Sequence, residues 1–486
     1  MYSTKRNFYY YMLNNIVVGT IPFISIAIFS KVLSPEDYGL YALYLIAGTI
    51  FSTIISSGLP AAHEVMFFEQ KNYNHKLTLT FSLVIFVILF SVFAFGILYI
   101  FDDFILKILI NEAYSNQTLY LSCSSCIFSS LNFYFFNHFR NERDGKSYMI
   151  YRSLTSMISL SISIYLILVL NYSYEAFFIS TLIASLLLFI FFILKFRMNI
   201  TLISFKMVRK AFKIALPLYP KILFGLIRTN YDRILLNNIT NQSLVGIYDL
   251  GLKASNQGTF IITSLYNSFI PNFYDQLNKK APGYKTDLPN SLMKSFGVYM
   301  SAILLISFFS FEVFYLITPE SFHEAINISS IIAVTLSFNF IEHIPILLFL
   351  KKTRLITILN VLTSTVILIT GLIFGLKFGL YGFIISNLFF SFLSSIMYFI
   401  VYQNNLRLNW PIRKIILIYS YLLLSVVTII TFRVIEIDYL YRLILKIFLL
   451  TGLIFSFLKL KIFIKEDLYL VLKKINKIVI SKNQKL

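Results

Sequence analysis

Residues 38–43 read Tyr38-Gly39-Leu40-Tyr41-Ala42-Leu43, and residues 245–250 read Val245-Gly246-Ile247-Tyr248-Asp249-Leu250. The two stretches lie 207 positions apart. A second pair, Phe67-Phe68-Glu69-Gln70-Lys71-Asn72 and Phe273-Tyr274-Asp275-Gln276-Leu277-Asn278, repeats at an interval of 206. Self-similarity at one long interval sets the architecture before any local feature does. Here it points to a duplicated chain.

Composition says what was duplicated. Of 486 residues, 58% are hydrophobic and 13% charged, with 51 Phe and 33 Tyr. With a mean hydropathy of +0.76, this excludes a soluble domain and intrinsic disorder. Two Cys exclude a disulfide scaffold. Apolar runs of about 20 residues read as membrane spans. Fourteen fit the sequence: 9–30, 39–64, 77–101, 114–137, 147–169, 174–194, 214–238, 244–270, 291–318, 323–350, 354–376, 379–402, 411–432 and 438–460. The first is too long for a signal-peptide core and no small-residue cleavage site follows it.

Moved by 207, span five falls on span eleven and span six within span twelve. The expected fold is therefore an all-α polytopic membrane protein of six plus six plus two spans. Residues 1–194 form an N-terminal six-helix bundle and 195–213 a basic cytoplasmic linker. Residues 214–402 form a second six-helix bundle, 403–460 two additional helices, and 461–486 a basic cytoplasmic tail. Six is even, so both copies share one orientation about a pseudo-twofold axis along the membrane normal. That arrangement leaves a central cleft that rocking exposes to each side in turn.

The net charge of +20 raises the question of nucleic acid, and its distribution answers it. Counting span ends with their adjoining loops, 31 of the 42 Lys and Arg fall at the termini and on the loops of one side, 5 on the opposite side, and 6 deeper inside spans. This is a positive-inside bias, placing both termini in the cytoplasm, and it excludes nucleic acid as a partner. The tail from Lys459 carries eight Lys among apolar residues and reads as a segment lying on anionic lipid. Loops are too short for an extramembranous catalytic domain, and no P-loop motif occurs. No enzyme activity is expected.

Charges inside spans must face protein or water. Span seven reads IALPLYPKILFGLIRTNYDRILLNN (214–238). Lys221, Gly225, Arg228 and Asp232 share one helical face, with Arg233 beside it. Two readings fit this stripe: a self-contained Arg228–Asp232 pair, or a cationic cavity for an anionic ligand. Pro217 and Pro220 are expected to kink the inward half of the helix. Span eight adds Asp249, Lys253 and Asn256, again either an internal pair or a continuation of the site.

At 207 residues' distance, Lys221 corresponds to Asn14 and Asp232 to Ser25. The first copy thus offers neutral polar groups, Asn14 and Asn15 among them, where the second offers charge. Glu342 and His343 in span ten are candidates for proton relay or for plain interhelical hydrogen bonding. Glu312 and Arg152 are expected to snorkel, His63 and Glu64 to be interfacial, and Lys446 has no account. Cys123 and Cys126 lack the context of redox or zinc chemistry and read as core. No metal site is expected.

The stretch FSKVLSPEDYGLYALYLI (29–46) and its counterpart ALPLYPKILFGLIRTNYDRILLNNITNQSLVGIYDLGLKAS (215–255) carry a family likeness. They resemble the Wzx-type O-antigen and polysaccharide-repeat flippases of the multidrug/oligosaccharidyl-lipid/polysaccharide (MOP) exporter superfamily. The resemblance implies movement of an undecaprenyl-diphosphate-linked oligosaccharide from the inner to the outer leaflet of the bacterial cytoplasmic membrane. It implies a cleft lined by spans one, two, seven and eight. Lys221, Arg228, Arg233, Lys253, Asn14, Asn15 and Tyr231 are the candidate substrate-binding residues, and Tyr219 a further sugar-stacking candidate. Asp232, Asp249 and Glu342 are the candidate coupling or gating residues.

No cofactor is implied beyond a proton or sodium gradient. The partners implied are the lipid-linked oligosaccharide, membrane lipids, and a polysaccharide polymerase with its chain-length regulator. The alternative is a cation-coupled small-molecule or drug exporter of the same superfamily, which would favour acidic cleft residues. A membrane polymerase or ligase is the further alternative, and it generally needs a large outward loop that this chain lacks.

Overall fold

The computed structural model describes residues 2–70, 72–110, 115–197, 203–256, 273, 276–277, 282–342, 346–350, 352–435 and 438–459. Helices dominate, and among the described residues there is no strand. The helices are α1 (Tyr2–Phe29), α2 (Pro35–Ser56), α3 (Leu59–Glu69), α4 (Tyr73–Leu109), α5 (Asn116–Asn141) and α6 (Gly145–Leu168). Then come α7 (Glu175–Phe196), α8 (Phe205–Ala215), α9 (Tyr219–Ile239), α10 (Gln242–Ser255), α11 (Tyr284–Ile317) and α12 (Ala325–Glu342). The short α13 (Ile346–Phe349), α14 (Thr353–Asn405), α15 (Ile412–Val434) and α16 (Tyr439–Lys459) complete the order. The protein is an all-α, multi-pass membrane protein.

Among the described residues nine helices are long and apolar enough to cross a bilayer. One of them, α14, holds two expected spans: Gly379 takes φ +56° and ψ −135° and folds the helix back on itself. Only a residue without Cβ adopts that conformation at no cost. The two arms then meet, Thr370 Oγ1 lying 3.1 Å from Ser386 Oγ. Expected spans one, seven, eight and thirteen correspond to α1, α9, α10 and α15. Of these, α9 is disqualified as an apolar span by its own charges, and the end of span eight lies outside the described residues.

Several expectations need correction. Span two does not continue to residue 64: Ser57 (φ +47°) and Gly58 (φ +73°) break it, and α3 is a separate helix. At the inward end of span seven the helix is interrupted: a 3-10 turn (Leu216–Leu218) separates α8 from α9. The reason is that Pro217 and Pro220 each fall at the start of an element, where a missing N–H costs nothing. Glu312 does not snorkel; both its oxygens accept from Lys446 Nζ, at 2.6 and 2.8 Å, which also accounts for Lys446.

The described residues divide into two compact units. The first takes residues 1–253, 314–325 and 360–386; the second takes 254–313, 326–359 and 387–486. In the first unit a core of Phe67, Phe81, Phe135, Phe189 and Phe192 is shared by α3, α4, α5 and α7. The linker helix α8 docks on it through Val208, Ala211 and Ala215, while Lys210 pairs with Glu69 at 2.6 Å. His63 is not interfacial: it is buried, 3.0 Å from Thr80 Oγ1, although neighbouring Glu64 is exposed and pairs with Arg140. Cys123 is buried and both thiols are free. In the second unit Phe296, Tyr299, Phe308, Phe338 and Leu422 form one core and Phe273, Tyr398 and Tyr402 belong to another.

The duplication is visible inside the first unit. A Cβ on Gly39 would lie 1.9 Å from the Gln242 carbonyl oxygen, and a Cβ on Gly246 would lie 1.9 Å from that of Pro35. Gly39 and Gly246 are 207 apart, and so are Pro35 and Gln242, so the contact between α2 and α10 is reciprocal. A second pair obeys the same rule. Asn237 Nδ2 donates to the Ile110 carbonyl at 2.9 Å, and Ser30, its counterpart, donates to the carbonyl of Ile317, the counterpart of Ile110, at 3.4 Å. A local two-fold relation between the copies is the geometric reason for both.

Candidate substrate site

The start of α2 is fixed tightly. Ser34 caps it in a reciprocal capping box with Asp37, the Asp37 N–H donating to Ser34 Oγ at 3.2 Å and the Ser34 N–H to Asp37 Oδ2 at 2.9 Å. Pro35 occupies the first turn, where its fixed φ suits the helix. Gly39 follows and lets α10 approach to backbone contact. That approach brings Tyr41 of α2 beside Lys253 of α10, the Nζ 4.6 Å from the ring centroid.

Between α9 and α10 lies a charge network. Arg233 Nε sits 2.8 Å from Asp249 Oδ1, and Lys253 Nζ 2.6 Å from Asp249 Oδ2. Arg233 also donates from Nη1 to Asn230 Oδ1 at 2.9 Å and to the Thr229 carbonyl at 3.2 Å. Asp232 accepts from the Tyr248 hydroxyl and from the Arg233 N–H. Asp232, Arg233 and Asp249 are all at least nine-tenths buried, while Lys253 stays 29% exposed at its side chain. Two acids face two bases, so the network is neutral. Burying such charges is tolerable only because each is paired.

The Arg228–Asp232 pair allowed by spacing is absent: Asp232 turns to Tyr248 instead. Arg228 makes no hydrogen bond or ion pair with a described residue. Beside it Gly225 is exposed, with nothing within 4 Å of the position a Cβ would take. The face of α9 that carries Lys221, Gly225 and Arg228 is therefore open at Gly225 and Arg228. The side chain of Lys221 lies outside the described residues.

The other sequence candidates are dispersed. Asn14 is buried, donating to the exposed Asn15 at 3.3 Å with its own Oδ1 unpartnered. Tyr231 is buried; its hydroxyl donates to the Ile367 carbonyl at 3.3 Å, and its ring lies against Gly371. Glu342, in the second unit, has an unpartnered buried Oε1. His343 and the segment of span eight beyond Asn256 lie outside the described residues.

Sequence reasoning missed one feature entirely. Two cavities, of about 310 and 460 Å³, lie within the first unit and share Tyr41, Ser129, Phe177 and Thr181 as lining. Ser and Thr from α1, α5, α6 and α7 line the smaller one. A Ser/Thr spacing at i, i+4 and i+8 on α6, Thr155, Ser159 and Ser163, was the available signal.

Residues 4–275 match a family described as polysaccharide biosynthesis protein. No curated protein sequence matches. Among solved structures, the chain is similar to the lipid II flippase MurJ in an inward closed conformation. The match covers 93% of this chain and 100% of that one, with a TM-score of 0.69 at 15% identity. It is also similar to an inward-facing multidrug resistance MATE family transporter of the MOP superfamily, with 81% and 97% covered, a TM-score of 0.63 and 13% identity. A mutant of the Vibrio cholerae MATE transporter VcmN gives 83% and 96% covered, a TM-score of 0.57 and 12% identity. At such identities the likeness is one of fold.

Proposed function

We propose a transport function from one premise: the chain belongs to the polysaccharide biosynthesis protein family. Its fold is that of MOP superfamily transporters. On our reading it is a flippase that carries an undecaprenyl-diphosphate-linked oligosaccharide repeat unit, of O-antigen or capsule type, from the inner to the outer leaflet of the bacterial cytoplasmic membrane. Both termini are cytoplasmic on this reading, as the distribution of Lys and Arg requires.

The observation that carries the reading is a half-buried cation on α9, Arg228, that pairs with no described residue and sits beside the open position at Gly225. The buried network below it is neutral, so the positive charge left for a ligand belongs to Arg228 and, one helical face along, Lys221. An arginine fork takes a diphosphate in bidentate fashion, and a lysine adds a point charge. The polyprenyl tail stays in the bilayer while the head group crosses. For release to the far side the Gly39–Gly246 contact opens, and Asp232, Asp249 and Glu342 are the acids on which a proton or sodium gradient acts.

The test is complementation of a strain lacking its own repeat-unit flippase, with membrane levels checked by blot. Arg228→Ala is expected to abolish surface polymer at normal protein level, with lipid-linked repeat units accumulating inside. Lys221→Ala should weaken transport less, and Arg228→Lys should retain a part. Full surface polymer from all three variants would sink the cationic site. Failure of the wild type across several cognate repeat-unit pathways would turn the assignment toward the drug-exporter class.

A further inference from the structure

Tyr41 stands at a junction. One face of its surroundings carries Lys253 Nζ at 4.6 Å, and the same ring lines both cavities of the first unit. The smaller cavity is walled by hydroxyls: Ser25 of α1, Ser129 of α5, Ser159 and Ser163 of α6, and Ser180 and Thr181 of α7. The larger adds the rings of Phe133 and Phe178 to the shared Phe177. Among the described residues no charged side chain lines either cavity.

The hydroxyls are placed to receive a ligand. Ser129 donates to the Ser125 carbonyl at 2.8 Å and lies 3.1 Å from Ser185 Oγ, and Ser163 donates to the Ser159 carbonyl at 3.0 Å, so their donors are used while each oxygen keeps a lone pair for a ligand. Ser159 Oγ lies 3.3 Å from Thr181 Oγ1, within a small cross-helix cluster. Behind the wall, Asn132 is 2% exposed; its Nδ2 donates to the Ser185 carbonyl at 2.8 Å and its Oδ1 has no partner. Alternating hydroxyls and aromatic faces suit a pyranose, whose equatorial hydroxyls exchange hydrogen bonds and whose C–H face lies on a ring. An ionised sugar finds no counter-charge there, and burying its carboxylate would be costly.

We propose that the two cavities around Tyr41 form a subsite for an uncharged sugar residue of the transported head group. The inference rests on the flippase reading for its lipid-linked source, and it narrows the substrate: the residue seated here is a neutral or N-acetylated hexose, not a uronic acid.

Cys126 lines the larger cavity and, with Cys123, makes up the chain's cysteine content, which supplies a direct readout. Full-length Cys123→Ser protein in lipid nanodiscs would be alkylated with N-ethylmaleimide, with free N-acetylglucosamine or free glucuronate present. Binding of undecaprenyl diphosphate, its N-acetylglucosamine conjugate and its glucuronate conjugate would be measured alongside. N-acetylglucosamine should slow alkylation of Cys126 and glucuronate should not. The neutral conjugate should bind about tenfold tighter than the bare lipid diphosphate, the gain expected of a few new hydrogen bonds. Ser129→Leu with Ser159→Leu should erase that gain and leave bare-lipid binding intact, which also certifies the fold of the variant. No protection by N-acetylglucosamine, equal gain with glucuronate, or a gain that survives the double leucine variant would each overturn the subsite. Protection without any binding of undecaprenyl diphosphate would uphold the subsite and remove the flippase reading instead.

Discussion

The same scaffold position carries opposite chemistry in the two copies. In the second copy Asp232, Arg233, Tyr248, Asp249 and Lys253 lock into one buried network. Their counterparts at 207 residues' distance are Ser25, Ile26, Tyr41, Ala42 and Ile46. Only the tyrosine is shared. In one copy its hydroxyl holds a carboxylate; in the other Ser25 and Tyr41 line a cavity. Duplication thus supplied one backbone arrangement twice, and side-chain divergence turned one copy into a filled charge cluster and the other into an open, neutral chamber. A two-fold pair of helices that meets at its glycines is free to differ everywhere else.

The sharpest way to break the comparison is at the point the copies still share. Gly39→Leu or Gly246→Leu puts side-chain atoms where a carbonyl oxygen already lies 1.9 Å from a bare Cβ. The neighbour is backbone, which cannot swing aside as a side chain can. Both variants should abolish transport to the same degree, because the contact is reciprocal. Spin labels at Glu36→Cys and Ser243→Cys, on the same ends of α2 and α10, should report a longer distance in either variant. Transport surviving in one variant and not the other would show that the two glycines are not equivalent.

Next in size is the network itself. Asp249→Asn leaves Arg233 buried and Lys253 without its ion-pair partner, and breaking one partner of a buried ion pair costs about 3–5 kcal/mol. Thermal unfolding in nanodiscs should show this as a large fall in Tm. Adding Lys253→Met to Asp249→Asn removes one stranded charge and should recover part of the loss. The counterpart change, Ala42→Ser, meets no charge in the first copy and should leave Tm within a degree or so of wild type. A large loss from Ala42→Ser would mean the first copy hides an electrostatic demand of its own.

Much of this was legible in the sequence, and the limits have physical causes. The duplication was legible in the recurring glycine and tyrosine, Gly39 with Tyr41 and Gly246 with Tyr248, because a glycine held at backbone contact tolerates no Cβ. Which charge pairs with which was not legible: spacing offered Arg228–Asp232 and Asp249–Lys253 equally well, since i, i+4 neighbours meet on any helix. Only the crossing of α9 and α10 decides that Arg233 reaches Asp249 and Tyr248 reaches Asp232, leaving Arg228 without a partner among the described residues. The Glu312–Lys446 pair joins residues 134 apart, and no local pattern announces it. The hydroxyl cavities were hidden for the opposite reason. Serine and threonine are common in packed membrane helices, donating to their own i−4 carbonyls, so a stripe such as Thr155, Ser159 and Ser163 on α6 does not by itself mark a chamber that five helices build together.

The smallest expected effect isolates the shared tyrosine. Tyr248→Phe removes the side-chain hydroxyl that donates to buried Asp232, which keeps the Arg233 N–H at 2.9 Å but loses its partner on Oδ2. An unsatisfied buried acceptor costs about 1–3 kcal/mol, more toward the upper end for a charged one. Tyr41→Phe deletes the same atom from the first copy, where the residue lines two cavities and pairs with no carboxylate, so its stability effect should lie near zero. Transport should respond in reverse order: Tyr41→Phe strips a polar group from the chamber wall, whereas Tyr248→Phe acts on the network away from it. Measured together, Tm and surface polymer should cross, Tyr248→Phe less stable yet the more active of the two at equal protein level. If both variants lose stability alike, Tyr41 is held by a buried partner as Tyr248 is, and the contrast between a filled and an open copy fails at its one common residue.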